Sequence, residues 1–229
     1  MILENKKVLE NIISKDRLDG YFRRVRQHKG SCDLFDAYLY YSWNIRLSEC
    51  FYSSLQALEI ALRNSIQNAA NRHFHNSMWF DDSSILRWNE RKHVVFAKAN
   101  LRRQQKHVDP GRIVAELNLG FWTSLFYATY ETILWRPLIK NTFPNMHPSI
   151  RKRKTLSKRL NKIRRLRNRA FHYEPIWYSN LAVRHAEILE VIDWIEPTIG
   201  KLLKPVDRFP ICCTPESFAE LKESLQEIF

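Results

Sequence analysis

A chain of 229 residues, 45% of them hydrophobic, is long enough to bury a sizeable core without disulfide or metal staples. A formal charge of +13 and a pI near 9.7 favour polyanionic partners, nucleic acid before acidic lipid. No run approaches the roughly 18 uninterrupted apolar residues of a membrane-spanning helix: the richest stretch, GFWTSLFYATYETILW, carries Glu131 and several polar groups.

The expected chain is therefore soluble and cytoplasmic, with no membrane partner. Cys32, Cys50 and the adjacent Cys212 and Cys213 show no Cys-x-x-Cys spacing, which fits idle thiols in a reducing compartment rather than a zinc site. Only 5 Gly and 9 Pro punctuate the sequence, and apolar residues recur at helical rather than alternating spacing, so the predicted class is all-α. No repeat or Gly/Ser linker divides it. One domain is expected, with short breaks near Trp79 to Ser84 and Asn141 to Ser149.

In chain order, Leu47, Phe51, Leu55, Leu58, Leu62, Ile66 and Ala69 step by three or four and predict one long buried helix. Its other face carries Glu59 and Arg63 at ion-pair spacing. Asp109-Pro110 reads as a cap and first-turn proline, opening one or two helices over GRIVAELNLGFWTSLFYATYETILW that Pro137 ends. Ser149 to Tyr173 predicts a helix with Ile163, Leu166 and Ala170 inward. Because Pro175 disfavours α geometry at Glu174, that helix should stop close to His172. Leu181, His185, Ile188, Ile192, Ile195, Ile199 and Leu202 form the next stripe, with a break at Pro197. Thr214-Pro215-Glu216 opens a C-terminal amphipathic helix over 214–229, acidic enough to pack back on the molecule or on a partner.

The segment RKRKTLSKRLNKIRRLRNR, residues 151–169, holds 11 Lys or Arg among 19 residues and no acid. Like charges at helical spacing cost a few tenths of a kcal/mol per pair, roughly 0.2 to 0.5, so compensation by phosphates is expected. Arg151, Lys152, Arg153, Lys154, Lys158, Arg159, Lys162, Arg164, Arg165 and Arg169 are the candidate RNA-binding residues; the plainer alternative is a solvated basic face.

The same helix ends in RLRNRAFHYEPIW. Asn168 and His172, four apart, share a face, while Arg167 is rotated from His172 but only about 7.5 Å away along the axis. A guanidinium, an amide and an imidazole are suited to RNA cleavage by the neighbouring 2′-OH. The arrangement asks for no metal or cofactor. The site also lacks competitors, since there is no Gly-rich phosphate loop, Gly-x-Ser-x-Gly elbow or His-Glu-x-x-His.

This stretch resembles the Arg-Asn-x-x-x-His helix and Glu-Pro-Ile ending of the Abi-like (abortive infection) branch of the HEPN superfamily. LQALEIALRNSI and GRIVAELNLGFWTSLF are similar to other stretches of that branch in type and order. The resemblance implies a bacterial protein, a HEPN-like helical bundle with additional N- and C-terminal helices, and one Abi-like domain over 1–229 with its motif-bearing core at about 47–203. It also implies a homodimer whose two motifs share a cleft, and metal-independent endoribonuclease activity in antiphage defence or toxin systems. Carried over, His172 is the general acid/base, Arg167 stabilises the phosphate and Asn168 orients.

Glu59, Arg63, Tyr173 and Glu174 are second-shell candidates. Glu59 with Arg63 reads more simply as a plain intrahelical ion pair, and Tyr173 or Trp177 as a base-stacking ring. His185 reads as a hydrogen-bonded core residue, His73 and His75 as structural. The competing function is a non-catalytic RNA-binding protein in a complex with a small structured RNA; an antitoxin or guide-like small RNA is a further expected partner.

Overall fold

Helix-forming sequence, short polar caps and sparse glycine give an all-α chain. The computed structural model describes residues 2–228, and among them there is no β-strand. The α-helices are α1 (Ile2–Ile13), α2 (Lys15–Lys29), α3 (Leu34–Cys50), α4 (Tyr52–Phe74), α5 (Trp88–Arg103), α6 (Pro110–Glu116) and α7 (Leu119–Ser124), followed by α8 (Arg136–Thr142), α9 (Arg153–Phe171), α10 (Leu181–Ile195), α11 (Pro197–Leu203), α12 (Phe209–Cys212) and α13 (Pro215–Gln226). No helix among the described residues is long and apolar enough to cross a membrane.

The polar residues before the helices do the capping work that their identity predicts. Asp109 accepts from the Arg112 N–H at 2.9 Å, and Thr214 from the Ser217 N–H at 3.2 Å, each satisfying an amide that the first turn leaves open. Glu196 does the same for Thr198 at 2.9 Å, so Pro197 starts α11 where α10 has ended. The expected apolar stripe there ends differently: Leu202 is 73% exposed, and Leu203 is the buried residue.

Three expectations are corrected. The run from Leu47 is two helices, because α3 ends at Cys50 and α4 begins at Tyr52, with buried Phe51 at the junction packing its ring on Phe209 (4.9 Å) and His185 (6.2 Å). The stretch after Gly111 is broken into α6 and α7, then a 3₁₀ turn (Ala128–Tyr130) and a π turn (Glu131–Trp135). Pro137 does not terminate anything. It lies in the first turn of α8, where a missing N–H is harmless, and the helix runs on to Thr142.

The chain divides into two compact units interleaved in sequence. Unit 1 comprises Met1–Ser53, Arg167–His185 and Val206–Phe229; unit 2 comprises Ser54–Leu166 and Ala186–Pro205. In unit 1, Leu18, Tyr21, Leu34 and Ala37 form a core joined by Tyr40, Tyr41 and Trp177. The acidic C-terminal helix packs back on α3: Phe218 meets the Trp43 ring at 5.2 Å, and Arg46 Nη1 donates to the Ser217 carbonyl at 2.8 Å. His185 is 7% exposed, bonds Asp207 at 2.7 Å through Nε2 and stacks on Phe209, the core role expected of it. In unit 2, Phe126 stacks on Trp135 at 3.9 Å, and buried Tyr130 donates to Glu90 at 2.7 Å.

Candidate functional site

The end of α9 is built to stop abruptly. Pro175 blocks continuation, and Tyr173 adopts a left-handed conformation, φ 59°, which an L-residue enters at a cost of about 1–2 kcal/mol. Two hydrogen bonds close the reversal: Glu174 N–H to the Arg169 carbonyl at 2.8 Å and Tyr173 N–H to the Ala170 carbonyl at 3.2 Å. This is a Schellman motif with tyrosine where glycine is usual. His172 is its C-cap and still donates its backbone N–H to the Asn168 carbonyl at 2.9 Å.

The turn beyond is clamped from several sides within unit 1. Asn44 of α3, 3% exposed, donates to the Glu174 carbonyl at 3.2 Å and accepts from the Ile176 N–H at 2.6 Å. Arg169 donates to the Pro175 carbonyl at 2.7 Å, bonds the Tyr178 hydroxyl, and lies 3.4 Å from the Glu174 carboxylate. Trp177 packs on Tyr40 at 4.5 Å and on His28 at 5.5 Å. Backbone strain held by this many partners is characteristic of functional positions.

Against that frame the three motif side chains differ. His172 is exposed, Asn168 is half-buried, and Arg167 is half-buried with its guanidinium carbon 4.7 Å from the Phe171 ring centroid. At about 100° per residue, His172 lies some 40° around the axis from Asn168 and about 140° from Arg167. Glu174 and Tyr173 belong to the same turn, one as an ion-pair partner of Arg169 and the other as the strained residue. Glu59 and Arg63 lie half-buried, one turn apart on α4 in unit 2.

Unit 2 answers part of the charge question with its own acids. Arg159 lies 3.6 Å from Glu187 and also bonds Glu190, and Lys162 lies 3.3 Å from Glu187. Arg153 bonds Glu131 and donates to the Phe126 carbonyl at 2.7 Å, and Arg151 donates to the Met146 carbonyl at 2.9 Å. Arg164 reaches the Asn161 side chain at 3.3 Å. Phosphate was the expected counter-charge; glutamates far away in sequence supply it for Arg153, Arg159 and Lys162. Lys152, Lys154, Lys158 and Arg165 are exposed, and Lys154, Lys158 and Arg165 fall on one stripe of the helix by their spacing.

Sequence reasoning passed over a second basic surface. On α5, Trp88 and Phe96 are each 66% exposed, among Arg91, Lys92, Arg102 and Arg103, and the Lys92 ammonium sits 3.3 Å from the Trp88 ring centroid. The signal was present: WNERKHVVFAKANLRR mixes cations with large rings on what its periodicity makes an outer face.

Among the described residues, no group of three His, Cys, Asp or Glu side chains is placed to hold a metal ion. No family model, curated protein or solved structure matches the chain. An exposed imidazole fixed at a rigid helix end, with an amide on the same face, is able to exchange a proton with a bound polymer and to orient one of its oxygens.

Proposed function

We propose that the protein is an endoribonuclease of the Abi-like HEPN type, cutting RNA by 2′-OH attack in bacterial antiphage defence. The observation that carries this reading is the clamped end of α9, which holds His172 exposed beside Asn168 at the close of a strongly basic helix. In the reaction His172 takes the proton of a ribose 2′-OH and the oxygen attacks the adjacent phosphorus. The P–O5′ bond breaks, a second imidazole protonates the departing 5′ oxygen, and a 2′,3′-cyclic phosphate remains. Arg167 offsets the charge that grows on the phosphoryl oxygens.

A second imidazole and a better-placed guanidinium come from a second copy of the chain. The rotation of about 140° between Arg167 and His172 in one copy supports such a homodimer, with each protomer completing the other's cleft. The HEPN-like bundle extended at both ends, the cytoplasmic setting and control by an antitoxin or small RNA belong to the same reading. Lys152, Lys154, Lys158 and Arg165 are the cations left to grip the backbone, with no cofactor required.

The exposed stripe of Lys154, Lys158 and Arg165 on the helix that ends in the motif favours a second reading, a protein that binds a small structured RNA without cutting it. End-labelled RNAs incubated in excess EDTA with wild type and His172→Ala decide between them. Cleavage is expected with wild type, leaving cyclic-phosphate ends, and is lost with His172→Ala. Intact but tightly bound RNA in both establishes the second reading.

A further inference from the structure

Unit 1 contains a cavity of about 450 Å³ beside the motif, within the roughly 300–1,000 Å³ range of small-molecule sites. Its walls are aromatic: Tyr41 and Tyr52 from the α3–α4 region, and Phe171 and Tyr173, the two residues that flank His172 in sequence. Its polar edge is Ser48 and Glu49. The Ser48 Oγ is buried and has no hydrogen-bond partner among the described residues. Glu49 pairs with Arg208 at 3.2 Å, but both side chains are about two-thirds exposed, 63% and 67%, so water screens the pair and the carboxylate remains available.

We propose that this cavity binds a nucleobase of the RNA substrate, with guanine preferred; the assignment rests on the endoribonuclease reading. Aromatic walls stack on any base, and two of them, Phe171 and Tyr173, flank His172 in the chain, so a base held there lies at the helix end that carries the imidazole. Selectivity comes from the edge. A single carboxylate accepts two parallel N–H donors, and guanine alone presents two adjacent ones, N1–H and N2–H. Adenine and cytosine offer one amino group next to a ring acceptor, and uracil one N–H between two carbonyls. Turned about its Cα–Cβ bond into the cavity, the Ser48 hydroxyl donates to guanine O6, which gives its buried oxygen a partner. A contact between apolar surfaces of two copies leaves the Ser48 hydroxyl without a partner and presses the Glu49 carboxylate against an apolar face.

The test is calorimetric titration of the full chain with GMP, AMP, CMP and UMP, alongside mapping of cut sites in mixed-sequence RNA. GMP is expected to bind at least about tenfold more tightly than the other three, and Glu49→Gln, which accepts only one N–H, to lose that margin. Cuts next to guanine are expected in wild type and a flattened pattern in Glu49→Gln, with Ser48→Ala as the milder variant. Equal binding of all four nucleotides, or GMP affinity unchanged in both variants, overturns the assignment. So does weakened self-association of Glu49→Gln without GMP binding, which makes the cavity a contact between copies. Guanine-selective binding with uncut RNA retains the pocket and refutes the nuclease; cutting without base preference does the reverse.

Discussion

Replacing Asn44 by alanine removes both halves of a bracket that holds the chain just past the motif. The Asn44 amide donates to the Glu174 carbonyl at 3.2 Å, and its oxygen accepts from the Ile176 N–H at 2.6 Å. Asn44 is 3% exposed and Ile176 1%, so little water reaches the Ile176 amide, whereas Glu174 is exposed and its carbonyl regains water. An unsatisfied buried donor or acceptor costs about 1–3 kcal/mol, which sets the loss at about 1–3 kcal/mol. Urea unfolding followed by tryptophan fluorescence, read at constant m, measures it. The Ile176 amide should also lose its protection from hydrogen exchange. Under the endoribonuclease proposal, loss of the bracket that fixes the turn after His172 should lower RNA cleavage by the folded variant by about a hundredfold, the penalty of a displacement near 1 Å. A stability change below about 0.5 kcal/mol, the scale of an ordinary surface substitution, with the Ile176 amide still protected, would refute the bracketing role.

Tyr173→Gly should raise stability by about 0.5–1 kcal/mol, since glycine removes the left-handed strain and returns part of that gain as unfolded-state entropy; a lower urea midpoint contradicts this. Changing Lys154, Lys158 and Arg165 together to glutamine should flatten the salt dependence of single-stranded RNA binding by about two units of log K per log salt. Arg159→Ala, in contrast, should cost stability through its glutamates with a smaller change in that slope. Burial pushes the Cys32 thiol from 9.0 up to about 11. A thiol raised in the folded state stays protonated while the unfolded one ionises, so this contribution is intact below pH 9 and is lost as pH rises towards 11. Cys32→Ser should reduce the fall in unfolding free energy across that window, measured by urea titration at each pH.

What the sequence made legible was local. The caps at Asp109 and Thr214, the stop before Pro175 and the break at Pro197 each depend on neighbours within a few residues, and each appears in the fold. Phe51 gave no such signal. The apolar period runs through it without glycine or proline, and its packing partners His185 and Phe209 lie in distant segments. Pro137 misled because proline stops a helix interior but suits a helix start, and the π turn before it has no sequence mark. The acids facing α9 were equally hidden: Glu131, Glu187 and Glu190 lie 22, 25 and 31 residues from the cations they meet. The two units carry no linker signature because three of the four crossings between them fall inside α4, α9 and α10, and the fourth is the short turn at Pro205–Val206. Of the candidate site, the residues and their helix end were readable; the Asn44 bracket and the left-handed Tyr173 were not.

That interleaving also orders events on the ribosome. Residues 1–53 emerge first, yet their partners in the same unit include residues 167–185 and 206–229. The contact of Arg46 with Ser217 closes a loop of 171 residues. Loops this long form late and slowly, so α3 must wait, partly uncovered, until α13 has been translated. A polypeptide cut short before α13 lacks part of the packing on α3, the helix whose Asn44 brackets the turn after His172, so an incomplete chain cannot finish that turn.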